Sequence, residues 1–278
     1  MILFLMAERF YLFRQLSRKL MHRKIWIGAL VSWLALSPGL QADPLRVVSY
    51  NIKHGLGMDR VIDLERIAKV IAAEKPDVVT LQEVDKGCRR SGGVDQAAVL
   101  GKLLKMEHRF GKFMDFQGGE YGMAVLSKLP IRGTKVHRLP EGAEPRVALE
   151  VSVKSPIGPG VISVVGIHND WIDEEVRTKQ VKALLAGLGK RVSPVLLAGD
   201  FNAEPGDASL ALLARTGWKT LRKGNVKTCP SVVPQWEIDF FIAKGFPPFR
   251  FVEKVIPEKV ASDHRPISIA ISPLPKKK

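Results

Sequence analysis

The sequence predicts an α/β protein made of two packed β-sheets flanked by helices, and three observations lead there. Short apolar or alternating runs of strand character recur along the chain. Helical patterns separate several of them, and these do not alternate strictly enough for a single doubly wound sheet. The chain is also long enough for one large domain: beyond a distinct first segment, about 235 residues can bury about 70% of their unfolded surface.

In order, Arg46–Ile52 (RVVSYNI) reads as a buried strand followed by the Gly-containing loop HGLGMD. Asp63 can cap a helix whose apolar face is Leu64, Ile67, Ala68 and Ile71, and Pro76 stops it. Val78–Leu81 is the next strand and carries Gln82-Glu83-Val84-Asp85 at its end. A polar loop with Gly87, Gly92 and Gly93 precedes a helix near Asp95–Leu104. The middle is strand-rich, near Met123–Ser127, Thr134–His137, Ala148–Val153 and Val161–Ile167, with turns at Pro130, Pro140 and Ser155–Gly158. A helix near Glu174–Leu188 leads to the apolar strand Val195–Ala198, which ends in Gly199-Asp200-Phe201-Asn202. A short helix near Ala208–Ala214 and strands near Ile238–Ile242, Phe251–Val255 and Ile267–Ile271 complete the chain. No period of repeat length recurs.

Composition narrows the class. With 46% hydrophobic and 26% charged residues the chain is ordinary globular protein, which excludes disordered, collagen-like and polytopic membrane classes. The formal net charge of +15 suggests an anionic partner, either nucleic acid, a phospholipid surface or a phosphorylated small molecule. Residues 1–42 hold five of those net charges, six basic residues against Glu8. There, Arg23 and Lys24 precede the apolar run Ile25–Leu36, then Ser37-Pro38-Gly39 and the small-residue site Leu40-Gln41-Ala42. The run is short of the ~20 residues that cross a bilayer, so residues 1–42 read as a cleaved signal peptide and the protein as exported, periplasmic or secreted. Met21 would open a conventional signal peptide and is an alternative start. Residues 43–273 are then the domain and 274–278 a basic, solvated tail. Cys88 and Cys229 are too few for a structural zinc site, leaving one disulfide or two independent buried thiols.

Polar groups follow apolar strands repeatedly: Asn51, Glu83, His168, Asp200 with Asn202, Asp239, and Asp263 with His264. One such residue is ordinarily a turn former or a satisfied polar group. So many in the same context point to a metal and phosphate site built on strand ends. The chain has no GxxxxGK[ST] phosphate loop, HExxH helix or GxSxG elbow, which disfavours nucleotide-driven work and serine hydrolysis.

The ordered strings SYNIKHG (49–55), LQEVD (81–85), YGMAVLSK (121–128), EPR (144–146), GIHND (166–170), AGDFNAEP (198–205), EIDFF (237–241) and SDHRP (262–266) resemble the motifs of the endonuclease/exonuclease/phosphatase superfamily, the deoxyribonuclease-I-like fold. The resemblance covers about residues 46–271. It implies a four-layer α/β sandwich of two mixed sheets and divalent-metal-dependent hydrolysis of a phosphate ester.

On that resemblance Asn51, Glu83 and Asp263 are the metal-site residues, suited to Mg²⁺ or alternatively Mn²⁺. Asp200 is the partner of the attacking water, and Asn202 donates to a nonbridging oxygen. His264 is the catalytic imidazole paired with Asp239, and His168 faces the phosphate with Glu120 as the carboxylate it leans on. Arg146 and Lys53 are weaker candidates for neutralising substrate phosphate, as are His54, Arg89 and Arg90. Asp170 departs from the usual form of its motif and adds a negative charge near the site. If the ends of LQEVDKGC and CPSVVPQWEID meet at the cleft rim, a Cys88–Cys229 bridge is expected.

The expected partner is a phosphate-ester substrate, with nucleic acid placed slightly ahead on the basic charge. Membrane lipid comes second, since no apolar insertion loop is evident, and inositol-phosphate-type hydrolysis third. No obligate protein partner is inferred. A non-catalytic binder of acidic polymers is disfavoured because the metal ligands and catalytic imidazole are all present.

Overall fold

The computed structural model describes residues 43–274 except 191, 192, 222, 223 and 225. The expected signal peptide and all of the basic tail but Leu274 lie outside the described residues. Strands β1 (Leu45–Asn51), β2 (Val78–Lys86), β3 (Glu107–Phe116), β4 (Gly119–Ser127), β11 (Phe249–Val255) and β12 (Ile267–Pro273) form one sheet, in the order β11-β12-β1-β2-β4-β3. Strands β5 (Ile131–Arg138), β6 (Val147–Lys154), β7 (Val161–His168), β8 (Val195–Asp200), β9 (Lys219–Leu221) and β10 (Asp239–Lys244) form the other, in the order β5-β6-β7-β8-β10-β9. Each sheet is mixed: β1 and β2 are parallel in the first, β7 and β8 in the second, and the remaining pairs are antiparallel.

Helices α1 (Leu64–Ala73) and α2 (Gln96–Leu104) cover the first sheet, and α3 (Glu174–Leu188) and α4 (Ala208–Arg215) cover the second. Each begins at an aspartate whose carboxylate accepts an early backbone N–H: Asp63, Asp95, Asp173 and Asp207. The four layers are bound by three apolar clusters. Ile67, Ala68 and Ile71 of α1 and Ala97 and Leu100 of α2 pack on Val48, Val79 and Leu81. Val181, Leu184, Leu210 and Leu213 pack on Val165, Leu197 and Phe240. Between the sheets lie Val47, Val78, Met123 and Val125 from one and Leu149, Val151, Val164 and Leu196 from the other. Each such fully buried aliphatic side chain contributes about 1.5–3 kcal/mol. The four-layer sandwich expected from the sequence is the fold observed.

Two strands were not anticipated, β3 and β9. β3, EHRFGKFMDF, is an edge strand only partly buried along most of its length, so charged residues dilute its apolar period. It approaches β4 closely enough that a Cβ at Gly122 would lie 2.1 Å from the Gly111 carbonyl oxygen. None of the helices among the described residues is long and apolar enough to cross a membrane.

Candidate active site

Strand pairing, parallel in β7–β8 and antiparallel in β8–β10, brings the functional groups together. Register sets His168 beside Asp200 across β7 and β8, and Asp200 opposite Asp239 across β8 and β10, making one row of three functional groups. From the other sheet, Asn51 ends β1 beside Gln82 of β2. Glu83 is then the bulged residue of β2, where pairing with β4 skips from Gln82 to Val84, and its φ is 57°. A bulge of this kind re-aims a side chain out of the strand's alternation. The Ser262-Asp263-His264 segment is tied to the end of β1 by Ser262 Oγ donating to the Asn51 carbonyl at 2.7 Å.

These groups converge on one oxygen. Asp200 Oδ2 lies 3.2 Å from Asn51 Nδ2, 3.7 Å from His168 Nε2 and 3.7 Å from His264 Nε2, while Asp200 Oδ1 accepts the Asn202 N–H at 2.9 Å. Asn51 Nδ2 also donates to Glu83 Oε1 at 2.9 Å. Asp239 Oδ2 meets His264 Nδ1 at 3.0 Å and accepts the Thr228 hydroxyl at 2.5 Å. Asn202 Nδ2 is held by the Asn169 carbonyl at 3.1 Å. A cleft of about 290 Å³ opens here, lined by Glu83, His168, Asp200, Asn202 and His264 together with Met114, Phe116, Tyr121, Trp171, Arg90 and Arg146.

Burial sets the electrostatics. It pushes the Asp200 carboxyl up to about 7, with the His264 ring pulling the other way and Asp239 adding to the rise. Burial also disfavours charge on His264, but the Asp239 and Asp200 carboxylates outweigh it and hold the ring well above the ordinary imidazole value. His168 goes in the opposite direction, driven well down by burial and by the positive Arg146 and His264. The site thus holds one imidazole that favours its proton and one that stays neutral.

Not every expected residue joins the cluster. Glu120 does not touch His168; it is partly exposed on β4, where its carboxylate pairs with Lys86 at 3.2 Å and Lys112 at 3.3 Å. The group beside His168 is instead Arg146, with Nη1 3.4 Å from Nδ1. Lys53 is near the site through an ion pair with Asp263 at 2.8 Å. Asp170 is fully buried and spent on the backbone N–H groups of Ala143, Ile172 and Asp173, so it organises its loop and does not line the cleft. The expected Cys88–Cys229 bridge is not formed. Both thiols are free, Cys88 Sγ donating to the Glu120 carbonyl and Cys229 lying beside His264. Sequence reasoning missed Thr228, whose hydroxyl fixes Asp239 from a Lys-Thr-Cys-Pro stretch without distinguishing pattern. Asp85 was likewise passed over; it lies in the LQEVD string and grips Arg90 through two 2.8 Å bonds.

Two groups of side chains suit a cation. The Glu83 carboxyl is raised by burial and by the Asp263 charge, against the bond from Asn51 and the positive His264 and Arg146, while Lys53 pairs with Asp263 at 2.8 Å. Oxygen donors of this kind fit a hard dication, which burial would otherwise leave uncompensated. Asp200, Asp239 and His264 also bring one ligand atom each within 4.8 Å of one another. There, however, His264 Nδ1 is bonded to Asp239 and its ring favours the protonated form, which cannot ligate a metal. The Asn51–Glu83–Asp263 group is the other candidate, with Asn51 Oδ1 accepting the Lys53 N–H at 3.1 Å.

The geometry has relatives. A family model described as the Endonuclease/Exonuclease/phosphatase family matches residues 48–264. No curated protein is similar enough in sequence to match the chain. Among solved structures, an endonuclease/exonuclease/phosphatase from Beutenbergia cavernae DSM 12333 is 25% identical with a TM-score of 0.65, over 83% of this chain and 72% of that one. A mannosyl-6-phosphatase from Bacteroides thetaiotaomicron VPI-5482 is 17% identical with a TM-score of 0.66, over 82% and 99% of the two chains. A truncated TDP2 from Caenorhabditis elegans is 17% identical with a TM-score of 0.65, over 84% and 99%. The last two share the fold. Since the family match runs from the second half of β1 through His264 and takes in all of the strand-end groups above, the chain belongs to the endonuclease/exonuclease/phosphatase family.

Proposed function

We propose that this protein is a divalent-metal-dependent phosphoesterase that hydrolyses a phosphodiester by direct attack of water. The observation that carries this reading is the convergence of Asn51, His168 and His264 on Asp200 Oδ2 from strand ends and loops of both sheets. Asp200 as carboxylate accepts the proton of the attacking water, and the strained turn after it puts Asn202, at φ 48°, into the cleft as a donor to a nonbridging oxygen. His264, oriented by Asp239 and Thr228, is the positively charged group facing the phosphoryl centre. Asn51, Glu83 and Asp263 would hold Mg²⁺ or Mn²⁺, which when bound supplies Lewis-acid polarisation of the phosphoryl oxygen.

For substrate, a nucleic-acid or nucleotide diester comes first. Trp171 is exposed and lines the same cleft as the catalytic groups, and a ring face of this kind stacks on bases. A specific observation favours membrane lipid as the second reading. Met58, Val61, Val232, Val233, Trp236 and Val260 are exposed on three loops bound to one another and to the site through Met58 N–H to the Val260 carbonyl and Ser231 N–H to the Asp263 carbonyl. The leader-like segment at 1–42 supports a protein that acts after export, tested by sequencing the mature N-terminus.

The experiment is hydrolysis of DNA, RNA, phospholipid vesicles and a p-nitrophenyl phosphodiester, with and without EDTA. Asp200→Asn and His264→Ala should each lower kcat by orders of magnitude on whichever substrate is cleaved. Normal turnover by either variant, or turnover indifferent to EDTA, refutes the reading.

A further inference from the structure

Arg146 stands just before β6 and is 4% exposed. Its guanidinium is fixed from two sides: Nη2 pairs with Glu144 at 3.1 Å, and its carbon lies 5.1 Å from the Phe113 ring centroid. Its Nη1 is 3.4 Å from His168 Nδ1. A guanidinium has five N–H donors, no acceptor, and does not give up its proton in proteins. The contact therefore has only one polarity, an arginine N–H donating to a lone pair on Nδ1. The single proton of the neutral ring must then sit on Nε2, the nitrogen that faces the cleft toward Asp200.

We propose that Arg146 is a positioning residue that locks His168 in its Nε2–H tautomer, making that imidazole a fixed neutral hydrogen-bond donor to a substrate phosphoryl oxygen and leaving proton transfer to Asp200. The catalytic half of this statement rests on the phosphoesterase reading above; the tautomer does not. His264 has the opposite polarity, because its Nδ1 faces a carboxylate oxygen, an acceptor, and so carries hydrogen. Two imidazoles on either side of one carboxylate oxygen are thus set apart by their outer partners, an arginine for one and an aspartate for the other. A second proton on His168 would have to occupy Nδ1, placing N–H against N–H and cation against cation. The ring is 2% exposed, so water could not relieve that opposition. Burial and the Arg146 charge both keep His168 unprotonated.

Long-range ¹H–¹⁵N correlation on histidine-labelled full-length protein at neutral pH reads the tautomer directly, with the His168 signals assigned by their loss in His168→Gln. The expected result is a protonated, pyrrole-type Nε2 and a bare, pyridine-type Nδ1. Arg146→Met, which removes the donor, should give a mixed or Nδ1–H ring, and Arg146→Lys, which keeps a donor, should restore the wild-type pattern. In activity, a glutamine amide can stand in for Nε2–H, so His168→Gln should retain kcat to within about tenfold, while His168→Ala loses about 10²–10³-fold, the usual effect of deleting one oxyanion donor. An Nδ1-protonated His168 in the wild type, or an Arg146→Met spectrum identical to wild type, overturns the lock. Folded Gln and Ala variants impaired equally overturn the donor role. If no phosphoester is cleaved by the wild type, the phosphoesterase reading fails, while the spectra still decide the role of Arg146.

Discussion

Replacing Asp200 by Asn should inactivate the protein and at the same time stabilise it, with a gain that depends on pH. The Asp200 carboxyl rises from the ordinary 3.8 to about 7, first because it is buried. The sign follows from linkage: between those values the folded state binds a proton that the unfolded chain has released, so stability is lost as pH rises through the window. At pH above 7 the full burden of burying that carboxylate is present, of order 4 kcal/mol at 1.36 kcal/mol per pH unit. Asparagine carries no such burden but has one acceptor oxygen, so either the Asn51 amide or the Asn202 N–H loses its partner, at about 1–2 kcal/mol. The net expectation is a gain of about 2–3 kcal/mol at pH 8, or roughly 5–10 °C in Tm for a domain of this size, shrinking to nothing or reversing near pH 4. Urea unfolding of wild type and variant across that range in EDTA, with hydrolysis measured on the same preparations, checks both halves. A variant less stable than wild type at pH 8, or a gain that ignores pH, would refute the electrostatic account.

Three further outcomes are expected. Glu83→Gln keeps the shape of the bulged side chain but removes its charge, and should raise the Mg²⁺ concentration for half-maximal activity at least about tenfold; an unchanged titration would remove Glu83 from the cation cradle. Gly199→Ala puts a Cβ 2.1 Å from the Ile167 carbonyl oxygen, one residue before both His168 and Asp200, and should cost about 1–3 kcal/mol in urea unfolding together with most of the activity. A loss under about 0.5 kcal/mol would mean that β7 and β8 spread easily. Without reductant, thiol titration should find half-buried Cys229 reactive in the native protein and Cys88 only after unfolding, since Cys88 is fully buried and burial raises its thiol. Absence of both thiols after unfolding would restore the bridge.

Much of the fold was legible because its central strands are buried on both faces and so read as unbroken apolar runs, as in Val78–Leu81 and Val195–Ala198. Helix α3 was legible to its ends because Asp173 caps it and Gly189 closes it. β3 was not, since an edge strand can leave charged side chains in solvent, and three-residue β9 is too short to show a period. For the site, local strings revealed which residue types end strands, but not their pairing. Asn51 and Asp200 are 149 residues apart yet share a hydrogen bond, and the Arg146–His168 contact spans 22 residues across two strands. Glu120 was misassigned for the same reason: its place before Tyr121 is local, while the lysines that claim it come from β2 and β3.

The interlayer of Val47, Val78, Met123, Val125, Leu149, Val151, Val164 and Leu196 has a meaning for catalysis beyond cohesion. Asn51 and Glu83 ride on one sheet and His168, Asp200 and Asp239 on the other, so the distance between the two halves of the reactive centre is the distance between two slabs. A methyl group removed from or added to that interlayer, well away from any substrate, lets the slabs settle or forces them apart. Close-packed interiors transmit such displacements, and errors near 1 Å at a reacting group can lower rates about a hundredfold. In this molecule, volume changes among inward-facing aliphatic residues should therefore act as fine adjustments of turnover, and directed evolution of activity should accumulate substitutions there as readily as around the cleft.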